Sequence, residues 1–301
     1  MKDLSGIIIP VVTPFDAAGD IDESAMRGQV RFMIEKGVHG ICVGGTTGEG
    51  HTLSKDDLRK VATIAVDEAA GRIPVLAGVF ANSTQDLVAR GKALSDVKLD
   101  ALQVTPTYYL YNPNDESMLA HYKALTDAVD FPVIIYNVVR WNILGADLLV
   151  RIMTENDKVV GVKQSGGEIK LLADLLVRAP KGKLIYSAQD SLLYPTFMLG
   201  AHGAIAASPA AAPTAALALW EAVKAGDHEF ALKLHKGILR LWNALTGNNC
   251  PAAVKYALSL QGCPTGLPRM PMHPATPQQQ AAIKGAVDAV LDIVASGPSR
   301  R

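Results

Sequence analysis

Cysteine is scarce in this chain of 301 residues: Cys42, Cys250 and Cys263 lie far apart and form no C-x-x-C pair. That spacing argues against a disulfide framework or a structural zinc site, and it fits a reducing cytoplasm. Net charge is also lacking, since 29 Lys and Arg offset 29 Asp and Glu with no long block of one sign. Such a surface has no electrostatic footprint for a nucleic-acid backbone. Long apolar runs are missing too. The least polar segment, 203–220, is rich in alanine and interrupted by Pro209 and Pro213, which suits a strand and a buried helix better than a membrane span. The opening MKDLSGIIIPVVTPFD has a short apolar run without a small-residue cleavage site, so no signal peptide is expected. With 49% hydrophobic and 19% charged residues, the remainder reads as a compact globular enzyme of the cytoplasm, with neither nucleic acid nor membrane as partner.

Short β-branched runs alternate with longer helical patterns along the chain. The runs fall at 6–13, 40–45, 74–79, 101–105, 132–138, 159–164, 183–187 and 203–207. Capping patterns open the first helices: Asp22 or Ser24, then Ser54 with Asp57 three residues on, then Ser83 with Asp86. Successive runs are about thirty residues apart, the size of a βαβ unit, whose right-handed crossovers favour a parallel sheet. Eight units predict an α/β chain folded as a (β/α)8 TIM barrel, with a doubly wound sheet as the alternative. Helical patterns at 230–245 and 278–295 exceed what eight crossovers need. The expected organisation is a barrel over 1–225 and a C-terminal helical region over 226–301 packed on it.

A barrel carries its chemistry at the carboxyl ends of its strands. There the sequence places Gly45-Thr46-Thr47-Gly48-Glu49, Thr105 to Tyr109, Tyr136-Asn137, Lys163-Gln164-Ser165 and Ser187 to Asp190. Lys163 ends the apolar run VVGVK. A lysine removed from water loses stabilisation of its charge, and the neutral amine can attack a carbonyl to give an iminium, an electron sink for carbon–carbon chemistry. The competing reading is a lysine whose stem packs while its ammonium reaches water. Tyr136 ends the preceding strand and could shuttle protons at the same mouth, or serve as a core aromatic. The loop GGTTGEG at 44–50 suits an anion such as a carboxylate, and equally a plain glycine turn. It nearly matches a phosphate-binding loop, but His51 stands where that motif needs lysine, so nucleotide binding is the minor rival. No HExxH pair occurs among the seven histidines, and no metal role is expected.

Taken together, GTTGEGHTLS at 45–54, TPTYY at 105–109, IIYNV at 134–138 and GVKQS at 161–165 resemble the dihydrodipicolinate synthase and N-acetylneuraminate lyase family. The resemblance extends from IIIPVVTPF near the start to the late PAAVKYAL and LPRMPM segments, with the motifs in family order. It implies that Lys163 forms a Schiff base with pyruvate or another 2-keto acid, with no separate cofactor. Tyr136 would relay protons, linked by Thr46 to a second tyrosine from a neighbouring subunit, for which Tyr109 is the best match and Tyr108 the neighbour in register. Thr47 and its amide, with Thr46, would hold the keto acid's carboxylate, and Gly48, Arg140, Gln189 and Ile205 would contact substrate. A homotetramer built from tight dimers is implied as well.

Departures from the synthase pattern bear on the second substrate. Where those enzymes continue YNVP, one residue, then arginine, this chain has Val138-Val139-Arg140-Trp141, so tryptophan takes the arginine's place and Arg140 lies one position early. Binding of aspartate semialdehyde thus depends on where Arg140 points. Gln189 and Asp190 occupy positions where sugar-acid lyases bind hydroxyls, although Asp190 could instead cap the turn that follows. The expected activity is that of a Schiff-base lyase, best described as dihydrodipicolinate synthase-like. A 2-keto-3-deoxy sugar-acid aldolase or dehydratase is one alternative, and a non-catalytic keto-acid-binding barrel is another.

Overall fold

The computed structural model describes residues 2–166 and 168–297. Eight parallel strands close into a barrel in sequence order: β1 (Gly6–Pro10), β2 (Gly40–Val43), β3 (Val75–Val79), β4 (Ala101–Val104), β5 (Val133–Asn137), β6 (Val159–Gln164), β7 (Leu184–Ser187) and β8 (Gly203–Ala204). The doubly wound alternative is thereby excluded. Closure rests on two register pairs between the ends of the chain's strand series, Gly6 with Gly203 and Ile7 with Ala204.

The strands are apolar throughout because both their faces are buried. Inward residues Ile8, Cys42, Leu76, Ala101, Ile134, Tyr186 and Ile205 fill the barrel with Leu4 beneath them, and the Tyr186 hydroxyl donates to the Leu4 carbonyl at 2.7 Å. Outward residues such as Ile7, Ile41, Val75 and Val133 meet the helices in a second, larger core. Several strands stop before the β-branched run does. β1 ends at Pro10 rather than at residue 13, and β8 has two residues because Ala207 already begins the helix Ala207–Ala211. The apolar residues beyond these ends are buried in the barrel-mouth loops, so burial and not strand pairing accounts for their composition.

The capping patterns form. Asp22 accepts from the Ala25 amide, Ser83 from the Asp86 amide, and Ser54 with Asp57 makes a reciprocal capping box. After β8 the chain is helical at Ala207–Ala211, Pro213–Lys224, His228–Leu245, Cys250–Ser259 and Pro277–Ser296. The last helix buries Ile283, Val287 and Val290, and Gly237 permits its close approach, since a methyl there would lie 3.0 Å or less from Val290 and Ile293. Among the described residues no helix is long and apolar enough to cross a membrane, and all three cysteines are free.

Candidate active site

The carboxyl ends of β5 and β6 are paired residue for residue, Tyr136 with Lys163 and Asn137 with Gln164. Both members of the first pair point inward, and the Lys163 Nζ sits 3.5 Å from the centroid of the Tyr136 ring. Lys163 is 3% exposed, so the snorkelling alternative does not describe it. Among the described residues no carboxylate pairs with it. The Tyr136 hydroxyl lies 3.1 Å from Thr46 Oγ1, a hydrogen bond that joins the strand-end tyrosine to the glycine loop.

That loop is folded tightly. Gly44 has φ +60°, and a methyl on Gly50 would stand 1.8 Å from the Gly44 carbonyl oxygen, so only glycine fits there. The Gly48 carbonyl accepts from the Thr13 hydroxyl at 2.6 Å, which ties the loop to the segment after β1. Thr46 and Thr47 then face a cavity of about 570 Å³ together with Tyr136, Lys163, Arg140 and Ile205. Gln189, Asp190 and Ser165 form another part of its wall, and Trp242, Thr246 and Cys250 close it from the C-terminal helices.

Seven of the nine residues anticipated for the site therefore line one cavity: Lys163, Tyr136, Thr46, Thr47, Arg140, Gln189 and Ile205. Gly48 and Tyr109 do not. A methyl on Gly48 would stand 2.9 Å from the Val11 carbonyl oxygen, so the residue is packed against the segment after β1. Tyr109 is 61% exposed on the loop after β4, whereas Tyr108 turns inward against Phe80 with ring centroids 6.3 Å apart.

Arg140 reaches the cavity, and Trp141 turns away, its indole Nε1 donating to the Tyr109 carbonyl at 3.1 Å. Asp190 does not cap its own turn. Its Oδ1 instead accepts the amide of Ser208, in the short helix after β8, at 2.5 Å. Burial pushes the Asp190 carboxyl above the ordinary aspartate range, opposed by the Ser208 hydrogen bond and the nearby Lys163 ammonium. Burial likewise pushes the Cys250 thiol up to about 12, so the cavity wall there is neutral.

Three contributors lie in the quoted motifs without having been given a role there. Asn137, beside Tyr136, is a bracket: its amide donates to the Leu144 carbonyl and Gln164 Oε1, its Oδ1 accepts from the Leu144 amide, and its carbonyl accepts from the Ser165 and Gly166 amides. It fixes the loop that carries Arg140. Lys255 donates to Glu49 at 2.6 Å, and the Arg269 amide donates to the other Glu49 oxygen at 2.9 Å. The only sequence signal for Lys255 and Arg269 is their presence in the late PAAVKYAL and LPRMPM segments.

A buried amine beside a phenol, a hydroxyl-lined loop for an anion and a second cation on the same wall together can bind a keto acid, condense with its carbonyl and move protons during the reaction. The sequence profile described as the Dihydrodipicolinate synthetase family matches residues 3–290. Among curated relatives, a 4-hydroxy-tetrahydrodipicolinate synthase of Methanopyrus kandleri is 34% identical over 275 residues, covering 90% of this chain and 91% of the relative. Another of that name, from Methylibium petroleiphilum, is 34% identical over 288 residues, 94% of this chain and 97% of the relative. Among solved structures, a dihydrodipicolinate synthase of Bacillus anthracis superposes with a TM-score of 0.91 at 29% identity, covering 96% of this chain and 99% of the other. A Clostridium difficile protein crystallised with mannosamine gives 0.88 at 28%, over 95% and 99%. With profile, relatives and barrel in agreement over nearly the whole length, the chain belongs to the dihydrodipicolinate synthetase family.

Proposed function

We propose that the protein is a Schiff-base lyase of the 4-hydroxy-tetrahydrodipicolinate synthase type, which activates pyruvate on Lys163 for addition to an aldehyde. The carrying observation is the buried Lys163 amine against Tyr136, itself hydrogen-bonded to Thr46, within one cavity. Thr46 and Thr47 receive the pyruvate carboxylate. Nζ adds to the keto carbon, water departs, and an iminium remains. A methyl proton is then lost to give the enamine, which attacks the aldehyde carbon of the second substrate; the aldehyde oxygen takes up a proton, and water hydrolyses the resulting iminium to free the product and the Lys163 amine. Tyr136 moves the protons of each step through its hydroxyl. The iminium supplies the electron sink, so the reading calls for no separate cofactor.

Arg140 is the group proposed to receive the carboxylate of an acceptor such as aspartate semialdehyde. A 2-keto-3-deoxy sugar acid is the second reading, favoured by Gln189 and Asp190 on the same wall. The exposed run Tyr109, Leu110 and Tyr111, extended by Trp141, is proposed as the seat of a second subunit that brings Tyr109 to its neighbour's site within a homotetramer of tight dimers. The three free cysteines accord with a cytoplasmic protein.

The test is to incubate the protein with pyruvate, reduce with borohydride and map the adduct. A pyruvyl-sized mass on Lys163, lost in Lys163→Ala, is the expected result; no adduct with pyruvate or longer 2-keto acids overturns the proposal. Turnover of aspartate semialdehyde against 2-keto-3-deoxy sugar acids then separates the two readings.

A further inference from the structure

We infer that the buried Glu49–Lys255 ion pair positions the anion-binding loop, so that a helix late in the chain sets the place of Thr46 and Thr47. The inference rests on the proposed role of that loop in holding the keto acid's carboxylate.

A carboxylate within an anion-binding loop opposes the loop's task unless its charge is neutralised close by. Glu49 is wholly buried at φ +55°, a left-handed conformation that costs a residue with a side chain. Both its oxygens are committed. Oε1 takes the Lys255 ammonium at 2.6 Å and Oε2 takes the Arg269 amide at 2.9 Å. Lys255, 3% exposed in the helix Cys250–Ser259, also donates to the Leu267 carbonyl at 2.6 Å and lies 4.9 Å over the Phe15 ring.

Two bonds lead from Glu49 to the reacting groups. The Glu49 amide donates to the Thr46 carbonyl at 3.0 Å, and Thr46 Oγ1 meets the Tyr136 hydroxyl at 3.1 Å. Neither Glu49 nor Lys255 lines the cavity, so they are positioning residues that never touch substrate. A buried ion pair is a poor means of gaining stability, because desolvation cancels most of the attraction. What it supplies is direction, since one ammonium and one amide fix both oxygens of a side chain whose backbone carries the loop.

The experiment compares Glu49→Gln, Lys255→Met, the double variant and Glu49→Asp, which keeps the charge and shortens the reach. Three quantities are read in each: melting temperature, amide exchange over residues 44–52, and the rate of borohydride-trapped pyruvate adduct against pyruvate concentration. Single neutral variants leave a buried charge unpaired and melt early, whereas the double variant removes both charges and recovers much of the melting temperature. If the pair positions the loop, half-saturating pyruvate stays raised by at least about tenfold in the double variant, a loss comparable to one charge-assisted hydrogen bond. The maximal trapping rate stays close to the parent's, exchange over 44–52 is faster, and Glu49→Asp falls between. Recovery of half-saturating pyruvate together with the melting temperature overturns the inference, as does no change in any variant. Should the parent trap no 2-keto acid, the functional reading fails separately, and unchanged exchange over 44–52 in the double variant and in Glu49→Asp still overturns the positioning role.

Discussion

Arg140 and Lys163 are the two basic side chains among the described residues that line the cavity, and each has its own task in the proposed reaction. Replacing Arg140 by Ala is expected to leave the pyruvate adduct intact while raising half-saturating aldehyde by roughly ten- to a hundredfold, the worth of a hydrogen bond to a charged group. Trp141→Ala should leave acceptor saturation unchanged, because its indole faces the Tyr109 carbonyl. Steady-state kinetics with the acceptor varied decides both, and equal effects of the two substitutions contradict the assignment. Tyr136→Phe removes the hydroxyl that meets Thr46, and a slowing of turnover by about 10²- to 10⁴-fold with the adduct still trapped is the expected outcome. The meeting of Lys163 and Tyr136 at one cavity was legible in the sequence because both stand at the ends of neighbouring strands. The exchange between Arg140 and Trp141 was not, since the direction of a loop side chain depends on what the neighbouring loop offers it, here the Tyr109 carbonyl. Glu49 was legible as part of a loop, but its partner Lys255 lies 206 positions away and only the closed fold brings them together.

Elements show a similar division. Helix starts were legible from Asp22, Ser54 and Ser83 because a cap is a contact over three residues. Strand ends were less so, because the burial that selects β-branched residues continues into the mouth loops after pairing stops. Ser54→Ala is expected to cost about 1 kcal/mol in chemical denaturation and to leave trapping by pyruvate unaltered. In the helix Asp115–Ala128, His121 is buried with its Nδ1 2.9 Å from Thr84 Oγ1, and burial holds its pKa at about 4 instead of 6.5. Between those values the unfolded chain binds a proton that the native chain refuses, so stability is fully present above pH 6.5 and falls as pH drops towards 4. The loss amounts to about 3 kcal/mol at most. Denaturant titrations from pH 7 to 4.5 should show this slope in the parent and a shallower one in His121→Gln; parallel slopes exclude the histidine as its source.

At the scale of the whole molecule, the barrel count was legible because eight βα units repeat at a regular interval, while the cavity's outer wall was not, since Trp242, Thr246 and Cys250 come from the chain beyond that repeat. The exposed aromatic run on the loop after β4 predicts assembly. Sedimentation of the parent should give a tetramer, and Leu110→Lys with Tyr111→Lys should give a smaller species with slower turnover; an unchanged mass in the double variant removes this surface as the interface. Barrel closure has a further consequence for how the chain is made. β1 finds its last neighbour in Gly203–Ala204, two-thirds of the way along the sequence, and the pairing consists of two residue pairs. Throughout synthesis up to that point the growing sheet carries two unpaired parallel edges, at β1 and at the newest strand, with apolar faces that have no finished core. A chain that lacks the eighth strand therefore leaves both edges open to pairing with another copy.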